Sequence, residues 1–224
     1  MSCKFAFALM LLSFLYSCRN NSIDHPKQTS SKSADTLTTG NIDTDAKNRD
    51  IWQHPENVIR LLGNISNQTV ADIGAGSGYF SFKVLPHAKK LIAIDIDERF
   101  INLMNQKAAV LPEDLKNRFE ARLASPDNPR LSENEIQTAL VVNTYIYIQN
   151  RTHYFKNLKK SLSNKAKLVI IDFKDIDLPV GPNASIKLSA EQVMNELKEA
   201  GYSNITIDNN LLEYQYVVTA ENLK

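Results

Sequence analysis

Asp72, Gly74, Gly76, Gly78 and Asp95 are the residues whose types and spacing best suit ligand chemistry. The apolar run Val70-Ala71-Asp72-Ile73 enters Gly74-Ala75-Gly76-Ser77-Gly78 and continues into Tyr79, Phe80, Phe82, Val84 and Leu85. That order reads as a buried strand, a tight turn and the start of a helix. Glycine lets the backbone turn sharply and lets a ligand lie against it with no Cβ between them. The helix that follows presents unpaired N–H groups to whatever lies there. The dinucleotide fingerprint is G-x-G-x-x-G, and here Tyr79 stands at the third glycine's place. A pyrophosphate cradle of the dehydrogenase type is therefore disfavoured, and a nucleoside without phosphates fits better. The next apolar run, Leu91-Ile92-Ala93-Ile94-Asp95, ends in an acid about twenty residues after the loop, where α/β nucleotide sites place the carboxylate that accepts ribose hydroxyls. Ile136 to Val142 is a continuous apolar run of the kind found deep in a parallel sheet. It delivers Asn143-Thr144-Tyr145-Ile146-Tyr147 to the C-terminal edge, where open α/β sheets bind ligands. Asn143 can donate or accept there, and Tyr145 can stack or hydrogen-bond.

Asp72-Ile73-Gly74-Ala75-Gly76-Ser77-Gly78 followed by Ala93-Ile94-Asp95 resembles the first two motifs of class I S-adenosylmethionine-dependent methyltransferases. The similarity runs from about Trp52 to the C-terminus. It implies a Rossmann-like α/β fold: a doubly wound, mostly parallel seven-stranded sheet with an antiparallel last strand. It implies S-adenosylmethionine as cofactor, with Asp72 and the glycines at the methionine end and sugar, and Asp95 with Ile96 at the ribose. The loop after the third strand, Ala124 to Pro129, would supply Asp127 to the adenine amino group, with Asn128 as the fallback. Asn143, Tyr145 and Tyr147 would orient the acceptor, with Asn143 also near the cofactor. Similar chains often read Asn-Thr-Tyr-His-His here and carry a histidine before the position of Lys187; this one has Ile146, Tyr147 and Ile186. A histidine base is absent from the acceptor side. The expected activity is methyl transfer to a small molecule, a quinone-like lipid or a protein side chain; the alternative is a ligand-binding protein that has lost turnover.

The elements that must position these residues follow from the same reading. Pro55 to Leu62 is a helix with Pro55 in its first turn and Gly63 past its end. Trp52 either anchors that helix or covers the ligand. Further helices are expected from Tyr79 to Leu85, from an Asp97 N-cap, over Arg151 to Leu162, and from a capping box at Ser189 and Gln192. Strands are expected at Phe119–Leu123, Ile136–Val142, Lys167–Phe173, Ile205–Ile207 and Tyr214–Val218. Asp172 is placed near the acceptor side, Gln215 and Tyr216 at an exposed sheet edge, and the loop Lys174 to Leu188 around the acceptor pocket.

The chain has 224 residues, with 26 basic and 25 acidic, and no basic block that would point to nucleic acid. Lys4 precedes an apolar stretch, Phe5 to Leu15, that is too short to span a bilayer as a mature helix. Leu15-Tyr16-Ser17-Cys18 resembles a bacterial lipobox, whose cysteine carries lipid after cleavage. The expected organisation is a signal peptide over 1–17, a polar tether over 18–50 and a catalytic domain over 51–224. The chain would sit at the cell envelope, held to a membrane through Cys18 and facing the periplasm or exterior; an inefficient signal would leave it in the cytoplasm. With Cys3 removed and Cys18 lipidated, no thiol remains for a disulfide, a zinc site or a nucleophile. No metal-ligand spacing is present.

Overall fold

The structure, a computed structural model, describes residues 49–224. The segment expected to be a signal peptide, Cys18 and almost all of the expected tether lie outside the described residues. Arg49 and Asp50, assigned to the tether on composition, begin a helical stretch at 49–53. The elements that follow are α1 (Pro55–Leu62), β1 (Thr69–Ile73), α2 (Tyr79–Val84), β2 (Lys90–Asp95), α3 (Glu98–Ala109), α4 (Glu113–Lys116), β3 (Phe119–Leu123) and β4 (Ile136–Val142). After a 3₁₀ turn at Tyr145–Tyr147 come α5 (Arg151–Ser161), β5 (Leu162–Phe173), α6 (Ala190–Glu199), β6 (Ser203–Asp208) and β7 (Gln215–Asn222).

The strands form one seven-stranded sheet in the order β3-β2-β1-β4-β5-β7-β6. β3, β2, β1, β4 and β5 pair in parallel, and β7 runs antiparallel to both β5 and β6. This is the doubly wound sheet with one reversed strand that the sequence predicts. The chain reverses direction of travel across the sheet between β1 and β4, and ligands of open α/β sheets bind at such a switch point. Successive strand residues serve opposite faces. Ala71, Ile73, Ala139, Val141 and Ile170 face one core with Phe155 and Leu158 of α5 and Val193 and Leu197 of α6. Val70, Leu140, Val142 and Ile171 face the other, with Val58 of α1, Phe80 and Val84 of α2, and Met104 of α3.

Both faces being covered explains why the central strands read as continuous apolar runs. It also explains where the sequence reading fails. Gln215 and Tyr216, expected at an exposed edge, are 0% and 1% exposed: β7 lies between β5 and β6, and these two residues pair with Phe173 and Asp172 at the end of β5. Trp52 belongs to neither core; its ring lies 5.7 Å from Phe173 and 6.3 Å from Tyr214, over the C-terminal end of β5. Asp97 caps α3 as expected, its carboxylate accepting from Arg99 N at 2.8 Å. The capping box at α6 forms by half: Ser189 Oγ accepts from Gln192 N, but the Gln192 side chain turns along the helix to Glu196.

Candidate active site

The glycine loop is strapped to β2. Gly74 N and Ala75 N both donate to Ile94 O, at 2.8 and 2.9 Å. Gly76 N donates to Asp95 Oδ2 at 2.7 Å, and Asp97 N donates to Asp95 Oδ1 at 3.0 Å. The carboxylate at the end of β2 is thus fixed by one backbone donor on each oxygen. A carboxylate has about four acceptor sites, so two remain for hydroxyl donors of a ligand. Ile96 next to it is 59% exposed, an apolar side chain left open at the sheet's C-terminal edge.

The three glycines serve different ends. A Cβ on Gly74 would lie 2.3–2.9 Å from the Thr144 side chain, so Gly74 lets the loop close against the end of β4. At Gly76, with φ +55°, a Cβ would meet nothing within 4 Å. That open space belongs to a cavity of about 190 Å³, lined by Asp72, Gly74, Gly76, Ser77, Tyr79, Asn143, Thr144 and Arg49 among others. It is a cradle that a side chain would fill. Gly78 does not line it and instead caps α2 under the Phe82 ring.

Of the residues singled out in the sequence, the structure brings Asp72, Gly74, Gly76 and Asn143 to this one cavity, with Asp95 behind Gly76. Asp72 is 3% exposed and accepts from Ser81 Oγ of α2 at 2.6 Å. Burial pushes its carboxyl up to about 6, against the pull of the Ser81 hydroxyl and the Arg49 charge. Asp72 thus combines burial with a place on the cavity wall. Asn143 adopts φ +55°, the left-handed region that favours glycine but that asparagine tolerates, so its amide leaves the strand direction at the cavity wall.

The remaining candidates lie elsewhere. Tyr145 is fully buried, stacked on Phe155 at 4.9 Å, and donates to Glu196 Oε2 at 2.8 Å. Arg151 pairs with the same carboxylate at 2.7 Å. Tyr145 therefore points into the core, and burial with the Glu196 carboxylate holds its hydroxyl well above the usual phenol range. Tyr147 is 64% exposed on the surface of the 3₁₀ turn. Asp127 is exposed and accepts from Ser125 Oγ at 2.9 Å within its own turn, outside the cavity. Asp172 is buried under the 3₁₀ turn, taking the Phe173 N–H at 2.9 Å, and burial pushes its carboxyl up to about 6. The loop 174–188 lays Gly181 against the Phe173 ring and does not line the cavity.

Sequence reasoning missed the residues before α1. Tyr79 OH donates to Asp50 at 2.5 Å, Lys83 pairs with Asp50 at 2.9 Å, and the Arg49 guanidinium lies 4.1 Å over the Tyr79 ring. These contacts pin the 49–53 stretch across the mouth of the glycine loop. The signal was present in Tyr79, which cannot serve a phosphate cradle and instead gives this stretch an aromatic platform. Among the described residues, no group of three or more His, Cys, Asp or Glu is placed to hold a metal ion.

Residues 71–170 match the family described as a methyltransferase domain. A solved S-adenosylmethionine-dependent methyltransferase from Aquifex aeolicus shares 21% identity over 84% of this chain and 100% of its own, with a TM-score of 0.71. Another from Mesorhizobium loti shares 13% identity over 73% of this chain and 95% of its own, with a TM-score of 0.60. The [4+2]-cyclase SpnF superposes with a TM-score of 0.61 at 11% identity, covering 74% of this chain and 80% of its own. No curated protein matches the chain. The described domain carries the class I methyltransferase fold, and residues 71–170 within it match a methyltransferase domain.

Proposed function

We infer that the chain is an S-adenosylmethionine-dependent methyltransferase that acts on a small-molecule acceptor while held to a membrane surface by lipid on Cys18. The observation that carries the catalytic reading is the cavity in which the open face of Gly76, the Asp72 carboxylate and the Asn143 amide converge beside the carboxylate of Asp95. The cofactor, when bound, supplies a methyl sulfonium whose sulfide is already a good leaving group. The protein's task is then alignment rather than strong acid–base chemistry. Asp95 would take the ribose hydroxyls on its open lone pairs. Asp72 would face the ammonium of the methionine end. The loop backbone would let both approach, and Asn143 would orient what meets the methyl group. Support for the anchor is the Lys4, Phe5–Leu15 and Cys18 pattern in the sequence.

One observation favours a second reading, a binding protein without turnover. The titratable groups lining the cavity are Arg49, Asp72 and Tyr79, and Tyr79 is held above the usual phenol range by burial and Asp50. No neutral base stands ready for an acceptor that must lose a proton first.

Calorimetric titration of S-adenosylmethionine into the chain and into Asp95→Ala tests the cofactor site. Loss of two charge-assisted hydrogen bonds at about 1.5 kcal/mol each should weaken binding by about 100-fold; unchanged affinity in a folded variant overturns the assignment. Formation of S-adenosylhomocysteine in an acceptor screen separates enzyme from binder. Labelled fatty acid should follow the chain into the membrane fraction and be lost in Cys18→Ala; an unlabelled wild-type chain in the cytoplasmic fraction refutes the anchor.

A further inference from the structure

A chain of side-chain hydrogen bonds runs from the 49–53 stretch to the cavity wall. Arg49 Nε donates to Gln53 Oε1 at 2.9 Å. Gln53 Nε2 donates to Gln215 Oε1 at 2.9 Å. Gln215 Nε2 donates to Asn143 Oδ1. Gln53 and Gln215 are both 0% exposed, and neither lines the cavity. Their partners lie 162 and 72 residues away in sequence.

An amide can face either way, and its orientation is settled only by its network. Here the network has a head that cannot reverse. A guanidinium has donors and no acceptor. Gln53 must therefore turn its oxygen to Arg49 and its NH₂ to Gln215. Gln215 must accept with its oxygen and donate onward. Asn143 must accept with its oxygen, and its NH₂ is what remains for the cavity. The reverse order would set a donor against the guanidinium and leave a buried polar group unpaired, at about 1–3 kcal/mol.

We propose that Arg49, through Gln53 and Gln215 as positioning residues, makes Asn143 a donor-only contact at the methyl-transfer end of the cavity, so that the site selects groups presenting lone pairs there and rejects groups presenting N–H. This rests on the cofactor reading above and extends it to specificity. A sulfide sulfur, an alkoxide, an enolate or a carboxylate oxygen meets the Asn143 NH₂ favourably; a protonated amine meets donor with donor. The acceptor groups that suit the site are oxygen anions that need no base, such as a carboxylate, and an ammonium is turned away.

Two cofactor analogues differ at the critical atom. S-adenosylhomocysteine offers a sulfide with lone pairs, and sinefungin offers an ammonium in place of the methyl sulfonium. The wild-type chain should bind S-adenosylhomocysteine more tightly than sinefungin. Gln53→Glu then reverses the chain without changing its shape. The carboxylate still accepts from Arg49 but can only accept from Gln215, so Gln215 presents its oxygen to Asn143 and the Asn143 oxygen turns to the cavity. The ratio of the two dissociation constants should shift toward sinefungin by about tenfold or more, the size of one hydrogen bond gained and one donor clash removed. Gln53→Leu cuts the link to Arg49 without inverting the chain and should bring the ratio toward one. A ratio unchanged in a folded Gln53→Glu overturns the proposal with the cofactor site intact. Binding of neither analogue to folded wild type overturns the cofactor reading and this proposal with it. Should Gln53→Glu fail to fold, side-chain amide exchange in the wild type decides. The Gln53 and Gln215 NH₂ groups should be protected and the Asn143 NH₂ should exchange with solvent; the opposite pattern for Asn143 refutes the polarity.

Discussion

Gly76→Ala tests the site without touching a charge. An ideal Cβ at Gly76 meets nothing within 4 Å, so the methyl group costs no clash with the protein itself. What it costs is backbone strain at φ +55°, about 1–2 kcal/mol for an L side chain in the left-handed region. For a domain of this size that is a fall in melting temperature of about 2–8 °C. The methyl group stands in a cavity of about 190 Å³, in the volume assigned to the cofactor. Forcing a ligand past one surplus carbon costs about 1–3 kcal/mol, or about 5- to 150-fold in dissociation constant. Gly63→Ala is the control. Gly63 also has positive φ, also has open space around its Cβ, and closes α1 away from the cavity. It should lose stability by about 1–3 kcal/mol and leave cofactor affinity alone. Thermal melts paired with calorimetry read both quantities. Gly76→Ala binding S-adenosylmethionine within about twofold of wild type, with the melting loss present, would show that the loop does not face the cofactor.

Cofactor affinity should rise with pH through about 6, since the Asp72 carboxyl, raised to about 6 by burial, must ionise to face an ammonium. The folding linkage has the opposite sign. A folded pKa above the unfolded 3.8 means the folded state holds the proton longer, so this group destabilises the fold progressively as pH rises from about 4 to about 6. Asp72→Asn should accordingly melt higher than wild type at pH 7.5, with the gain vanishing below about pH 4, while binding the cofactor more weakly; a variant that melts lower at pH 7.5 refutes the assignment. Tyr145→Phe removes one hydrogen bond to Glu196, which keeps Arg151, and should cost about 1 kcal/mol of stability with cofactor affinity unchanged. A loss of affinity beyond about threefold in a titration would return Tyr145 to the site.

The strand at Ile136–Val142 was legible to the residue, because a buried parallel strand must be apolar on both faces and its ends show as the return of polar residues, whereas Phe119–Leu123, a partly exposed edge strand, was legible from its alternation. The places of the glycine loop after β1 and of Asp95 at the end of β2 were legible because they are local: the loop, the strand end and the acid lie within one βαβ unit. β5 was read from Lys167 but begins at Leu162, and β7 was ended at Val218 but runs to Asn222. Both extra segments carry polar residues that interrupt the apolar run: Asn164 and Lys165 are exposed before the part of β5 that pairs with β7, and Asn222 ends β7. Asn222 is fully buried, and its Nδ2 donates to Leu162 O and Ser163 O, carbonyls some sixty positions earlier in the chain. Tyr145 was misplaced for a related reason. A strand end brings a residue to the site, but the left-handed turn at Asn143 decides which of the next side chains face the cavity, and it sends Tyr145 to the core.

Two fully buried glutamines still need an account. A polar pair replaced on both sides by apolar groups of similar shape is close to neutral or stabilising. Burying Gln53 against Gln215 is therefore not explained by the stability of that one pair. Nor does hydrogen-bond satisfaction require the chain to end at Asn143, whose own amide is partly open at the cavity wall. What the amides do that leucines cannot is carry direction. Arg49 can only donate, and each amide passes that constraint one residue further, until it reaches a side chain that touches the ligand. The stretch that lies over the glycine loop thus acts on the far wall of the cavity through fixed dipoles. Removing the chain up to residue 53, so that it begins at His54, should therefore disturb ligand selectivity even where the sheet still folds.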